Sequence, residues 1–218
     1  MKNYIILGIV ILVVMLYIAH YLQLTKKNNE LRILQTFDPD DETAYHLFKQ
    51  KLPLILVDEI FLWSLEDEEN PERTIIDKPL NELAPILADK TVHRRIIQNL
   101  DHYSLALSRG WALSLESIKN NATSAIVPHK ERNYMHLIGC ISGEMRIILF
   151  PPNTDSKAMG DPALADKLMD SNCEIPCLEI IIRVGNMIYI PVGWWWFPYS
   201  HDKTIILDAV NSSVFGIF

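Results

Sequence analysis

The sequence predicts a mainly β domain with helices at its start, carried behind one N-terminal transmembrane helix. Three observations predict it. Residues Tyr4 to Leu24 contain no Asp, Glu, Lys or Arg; helical spacing and chain breakers alternate from about residue 41; and from Trp111 onward short runs rich in β-branched and aromatic residues recur between turn residues. At 218 residues, 49% of them hydrophobic and 22% charged, the chain has the composition of one globular domain and no room for a second large one.

The apolar run YIILGIVILVVMLYIAHYLQL is long enough as a helix, at about 1.5 Å per residue, to cross a hydrocarbon core of about 30 Å. A cleaved signal peptide has a shorter apolar region, of about 7–15 residues, and ends in a small-x-small site. Here the run leads instead into the bulky, basic LQLTKKNNELR. Residues 1–24 are therefore expected to be an uncleaved single-pass anchor, 25–40 a polar juxtamembrane linker and 41–218 the folded domain. Lys26, Lys27 and Arg32 follow the helix while only Lys2 and the amino terminus precede it, which places the domain on the cytosolic side. Two tripeptides of the glycosylation pattern, Asn121-Ala-Thr123 and Asn211-Ser-Ser213, are short enough to arise by chance and weigh little.

Asp40 or Asp41 is a candidate N-cap for a helix in which Tyr45, Phe48 and Leu52 share a face, and Pro53 ends it. LPLILVDEI has strand length. EDEENPER, residues 66–73, is a solvated loop, and residues 78–108 read as helices broken at Pro79 and Pro85, with His93-Arg94-Arg95 an exposed basic turn. Eight strands then follow: WALSLESI, TSAIV, YMHLIGCIS, EMRIILF, CLEIIIRV, MIYIPV, TIILDAV and SVFGIF, with a helical insertion at Ala163 to Met169. Strands at this spacing argue for a sandwich or barrel, and a double-stranded β-helix, or jelly roll, is one way of closing it.

The net charge of −7, more acidic still once Lys2 is set aside, makes nucleic acid a poor partner. Three cysteines, Cys140, Cys173 and Cys177, make no disulfide framework; Cys140 lies in an apolar run, while Cys173 and Cys177 flank a loop and would pair only in an oxidising space. Among the histidines, His136 alternates within an apolar strand as a core or pocket residue does, and His102 beside Asp101 reads as a helix-end pair. There is no Gly-rich phosphate loop, no Gly-x-Ser-x-Gly and no His-Glu-x-x-His.

Two stretches resemble a known family. GEMRIILFPP (143–152) resembles the G-x-K-R-x-x-L-F-P-P strand and turn of Jumonji-C type, cupin-like proteins, and VGNMIYIPVGWWW (184–196) resembles their G-D-x-L-Y-I-P-x-x-W-W-H strand. The terminal TIILDAVNSSVFGIF is similar to the family's closing strand. The resemblance covers residues 40–218 and implies a jelly roll. It also implies an iron(II) and 2-oxoglutarate dependent oxygenase, with iron on two His and one carboxylate.

Residue by residue, the implied chemistry is incomplete. His129 and Glu131 match the first ligand pair only with a one-residue insertion; the co-substrate lysine position holds Met145, beside Arg146; and the distal histidine falls at Trp196 or Phe197, with His201 the nearest substitute. A methionine cannot pair with a carboxylate, and neither Trp nor Phe can ligate iron. The expectation is a degenerate domain without cofactor, its pocket filled by Trp196, Phe197, Met145 and His136, serving as an anchored binding or structural module with a protein or peptide partner. The competing expectation is an oxygenase with iron(II) on His129, Glu131 and His201, and 2-oxoglutarate near Arg146 and Thr123.

Overall fold

A computed structural model gives the fold and describes residues 2–63, 75–103, 108–118, 127–169 and 174–213. Residues 66–73, Asn121, Thr123, Cys173, most of the TSAIV run and all of SVFGIF after its serine lie outside them.

Helix α1 (Lys2–Thr25) holds a stretch, Tyr4–Leu22, of mean hydropathy 2.7 that is apolar on every side and almost wholly exposed. A helix of that length and composition can cross a bilayer. Its exception is His20, which is buried: Nε2 lies 2.8 Å from Ser213 Oγ and the ring meets Tyr134 edge-on, centroids 5.2 Å apart. The end of the apolar helix is thus joined to the end of the last strand.

The expected linker contains a strand. β1 (Leu34–Phe37) runs parallel to β2 (Leu54–Val57), with α2 (Asp41–Lys49) between them. Polarity hid it because only Leu34 and Thr36 turn inward, and four residues at a sheet edge need no more. Asp40 caps α2 by accepting from the Thr43 amide at 2.7 Å. Three helices follow, α3 (Glu59–Leu62), α4 (Leu80–Ala88) and α5 (Lys90–Asp101). α5 buries Val92, Ile96 and Leu100, one residue per turn, and Asp89 caps it through the Thr91 amide at 2.8 Å.

The remaining strands are β3 (Ser108–Ile118), β4 (His129–Lys130), β5 (Met135–Ser142), β6 (Glu144–Phe150), β7 (Leu178–Arg183), β8 (Met187–Ile190), β9 (Trp195–Tyr199) and β10 (Thr204–Ser213). Two short helices, α6 (Ser156–Met159) and α7 (Leu164–Met169), sit between β6 and β7. A six-stranded sheet has the order β1-β2-β8-β5-β10-β3, and a four-stranded sheet the order β4-β9-β6-β7. From β3 onward every pairing is antiparallel, and four of them nest, β3 with β10, β4 with β9, β5 with β8 and β6 with β7, while β5 also pairs with β10 and β6 with β9. Gly143, the single residue between β5 and β6, holds φ at +85°, a value a side chain would strain. Helix and strand occur in equal shares, 34% each, so the fold is mixed, which agrees in part with the mainly β expectation. The excess helix is α1 and the layer of α2 to α5, which covers one sheet.

Strand alternation sorts the core into layers. Met135, Leu137 and Ile141 of β5 face that helical layer with Phe48, Leu83 and Ile96. Ile138 and Cys140 face the other way and meet Met145, Ile147 and Leu149 of β6 and Ile180 and Ile182 of β7, filling the space between the sheets. On the far side of the small sheet, Ile148, Phe150, Phe197 and Tyr199 pack under α6 and α7 with Met159, Leu164 and Leu168. Cys140 is a core residue, and burial pushes its thiol up to about 11, out of nucleophile range. Asn211 is fully buried in β10, opposite both Met135 and Trp111, so its acceptor side chain is sealed once the domain has folded.

Lys51 is 1% exposed, and its ammonium, 5.7 Å from the Tyr134 ring centre, has no hydrogen-bond partner among the described residues. Burial, with the charge of Lys26, lowers its pKa to about 8. Because the folded value lies below the unfolded one, its penalty is full below pH 8 and gone above 10.5. Lys51→Met is expected to stabilise the chain at neutral pH by about 1–3 kcal/mol and to abolish the gain in melting temperature between pH 8 and 10.5 that this lysine contributes. Thermal melts of the two proteins across that range test it.

Candidate functional site

The last turn of chain before β5 is where the resemblance expects chemistry, and β9 holds it in place. β4 pairs with β9 in the register His129 to Trp196 and Lys130 to Trp195. Just beyond β4, the Glu131 amide donates to the Trp194 carbonyl at 2.7 Å, and the Glu131 carbonyl accepts from the Gly193 amide at 2.9 Å. Those bonds fix the backbone and turn the Glu131 side chain inward, where it is 4% exposed.

There the carboxylate is already engaged. Oε1 accepts from the Asn133 amide at 2.6 Å, and Oε2 bonds His136 Nδ1. The other ring nitrogen of His136, Nε2, lies 2.8 Å from Asp208 Oδ1. In the β5–β10 register Ile138 faces Asp208, and His136 faces Val210, so His136 and Asp208 are diagonal neighbours on one face. Trp196 meets the His136 ring edge-on with centroids 5.1 Å apart, and the His129 ring lies tilted beside it, centroids 5.4 Å apart.

Burial alone would lower the His136 pKa, but the hydrogen bonds and charges of Asp208 and Glu131 prevail and hold it at about 9. At neutral pH the imidazolium therefore stands between two acceptors, with both nitrogens committed. A ring so held ties three segments together: the loop after β4, β5 and β10. It has no lone pair to offer a metal or a substrate proton.

The sequence-predicted residues separate accordingly. His129 is exposed on β4, and Trp196 occupies the position directly across from it. His201 is exposed in the turn beyond β9, its ring 6.0 Å from that of Tyr199. Tyr199 belongs to the layer under α6 and α7, the face opposite Trp196, so His201 is not brought to His129 and Glu131. β9 persists through Pro198, which faces Ile147 of β6; β4 reaches only Trp195 and Trp196, so the edge on which a proline lacks its N–H is unpaired.

Met145 is fully buried between the sheets, while Arg146 points to the other side, 3.5 Å from Glu179 and beside Tyr199. Arg146 is thus turned away from the interior where a co-substrate would lie, and Thr123 is outside the described residues. Phe197 also corrects the expectation: it packs under α6 and α7 rather than in the space between the sheets, because it alternates with Trp196. Asp208 went unremarked in the sequence. Its signal was there, as the one acid in the apolar TIILDAV.

On the outer side of Glu131 opens a cavity of about 610 Å³, whose walls include Thr25, Lys27, Lys130, Arg132 and Gly193. It lies between the end of α1 and the loop that carries Glu131. No protein-family model matches the chain, and no curated protein matches it either.

Proposed function

We propose that the protein is a single-pass membrane protein whose domain is a Jumonji-C-like, cupin-like jelly roll, working as an anchored binding module and not as an iron- and 2-oxoglutarate-dependent oxygenase. The nested pairing of the last eight strands, first with eighth through fourth with fifth, supports the jelly roll, since that is the pattern of a long hairpin rolled up on itself. The bond from His20 to Ser213 supports an anchor retained in the mature chain, because cleavage after the apolar run would sever it. Lys26, Lys27 and Arg32 favour the cytosolic side.

One observation carries the loss of oxygenase chemistry: the residue paired with His129 is Trp196. The residues present do not fit the family's iron or its co-substrate. The carboxylate that should ligate iron is bonded to His136 and Asn133, the distal position holds an indole, and the lysine position holds the buried Met145. The cavity bounded by three cations is the feature that supports binding.

Calorimetric titration of the full chain in detergent micelles with iron(II) and 2-oxoglutarate tests the reading. The expected result is no binding that distinguishes the native chain from His129→Ala. Tight iron binding that depends on 2-oxoglutarate and is lost in that variant would overturn it.

A further inference from the structure

The cavity outside Glu131 has a definite depth and a definite charge. We infer that it binds the phosphate of an anionic lipid headgroup, an assignment that rests on the membrane-anchor reading above.

Depth comes from α1. Thr25 ends the helix three residues beyond Leu22, where the apolar span stops, so the cavity wall lies about 5 Å past the hydrocarbon edge, at headgroup level.

Charge comes from three exposed side chains, Lys27, Lys130 and Arg132, none of which is in an ion pair among the described residues. The one carboxylate at the wall, that of Glu131, is turned inward to His136 and the Asn133 amide. On a chain of net charge −7, three cations around one cavity repel one another until an anion sits between them.

Local structure holds them there. The Lys130 ammonium lies over the Trp195 ring, 5.2 Å from its centre, a cation–π contact that holds it at the rim of the cavity, across β4 and β9. Lys27 runs past Gly193, its Cε within ordinary contact distance, 3.5 Å, of where a Cβ would stand, and the φ of +88° there is what calls for glycine. The juxtamembrane segment and the domain thus contribute to the same wall.

Native mass spectrometry of the full chain in mild detergent, titrated separately with phosphatidylglycerol, phosphatidylcholine and inorganic phosphate, tests the assignment. Phosphatidylglycerol is expected to be retained in preference to phosphatidylcholine, and to bind about thirtyfold more weakly to the Lys130→Gln/Arg132→Gln double variant, whose changes are on exposed side chains. Equal retention of the two lipids, or an unaffected double variant, would overturn it. So would inorganic phosphate that displaces the lipid, which would mark a site for small soluble anions. Alkaline carbonate extraction separates the two readings. Release of the chain from membranes overturns the anchor and the lipid site together, whereas a retained chain with no lipid preference overturns the lipid site alone.

Discussion

His136→Ala is expected to destabilise the full chain by about 3–5 kcal/mol, because it leaves two acidic side chains facing one another in the interior with their shared cation gone. For a chain of this size that is a fall in melting temperature of roughly 10 °C or more, read by circular dichroism in detergent micelles. The pH dependence gives a second readout. The folded pKa of about 9 lies above the ordinary 6.5, so the stability contributed by His136 is full below pH 6.5 and is lost as pH rises through 9. Removing the ring removes that loss, and with Lys51→Met in the background the two slopes can be read separately. A variant that melts within a degree of the native chain would mean that the tie between the loop after β4, β5 and β10 contributes nothing.

Trp194→Ala is expected to destabilise by a similar about 3–5 kcal/mol, for a different reason. Trp194 is fully buried in the layer between the sheets, and its Nε1 donates to the Lys51 carbonyl at 3.3 Å. Alanine opens a cavity there and frees the segment after α2. Trp194→Phe keeps most of the volume, and by losing mainly the hydrogen bond it is expected to cost about 0.5–1.5 kcal/mol plus a smaller packing loss. If the phenylalanine variant is as unstable as the alanine variant, the hydrogen bond rather than the volume dominates, and the packing argument fails. Neither change touches the exposed cations of the cavity, so lipid preference is expected to survive in the fraction that remains folded.

The parts legible in the sequence were those that depend on local pattern. The apolar helix announces itself by composition over Tyr4 to Leu24, and β5, β6 and β7 by runs of β-branched residues. Parity along β9 was legible too: Trp194 and Trp196 pack between the sheets and Trp195 packs on the opposite side. β1 was not, since a four-residue edge strand with two inward side chains carries too little pattern to stand out from a linker. The tie between Glu131, His136 and Asp208 was invisible for another reason. Its members lie 5 and 72 residues apart in sequence, and only the register of β10 against β5 makes them neighbours. The Phe197 expectation failed by a single position, which in a strand is the difference between one face and the other.

The bond between His20 and Ser213 joins the last turns of the apolar helix to the close of the last strand. A domain hung on one flexible tether samples every heading above its bilayer, whereas one latched at this point keeps a single azimuth about the span. With the apolar helix anchored as proposed, every copy would offer its neighbours the same flank and hide the same underside. Crowding such copies narrows the ways in which they can meet, and any lateral assembly inherits a handed, repeated geometry from that one contact.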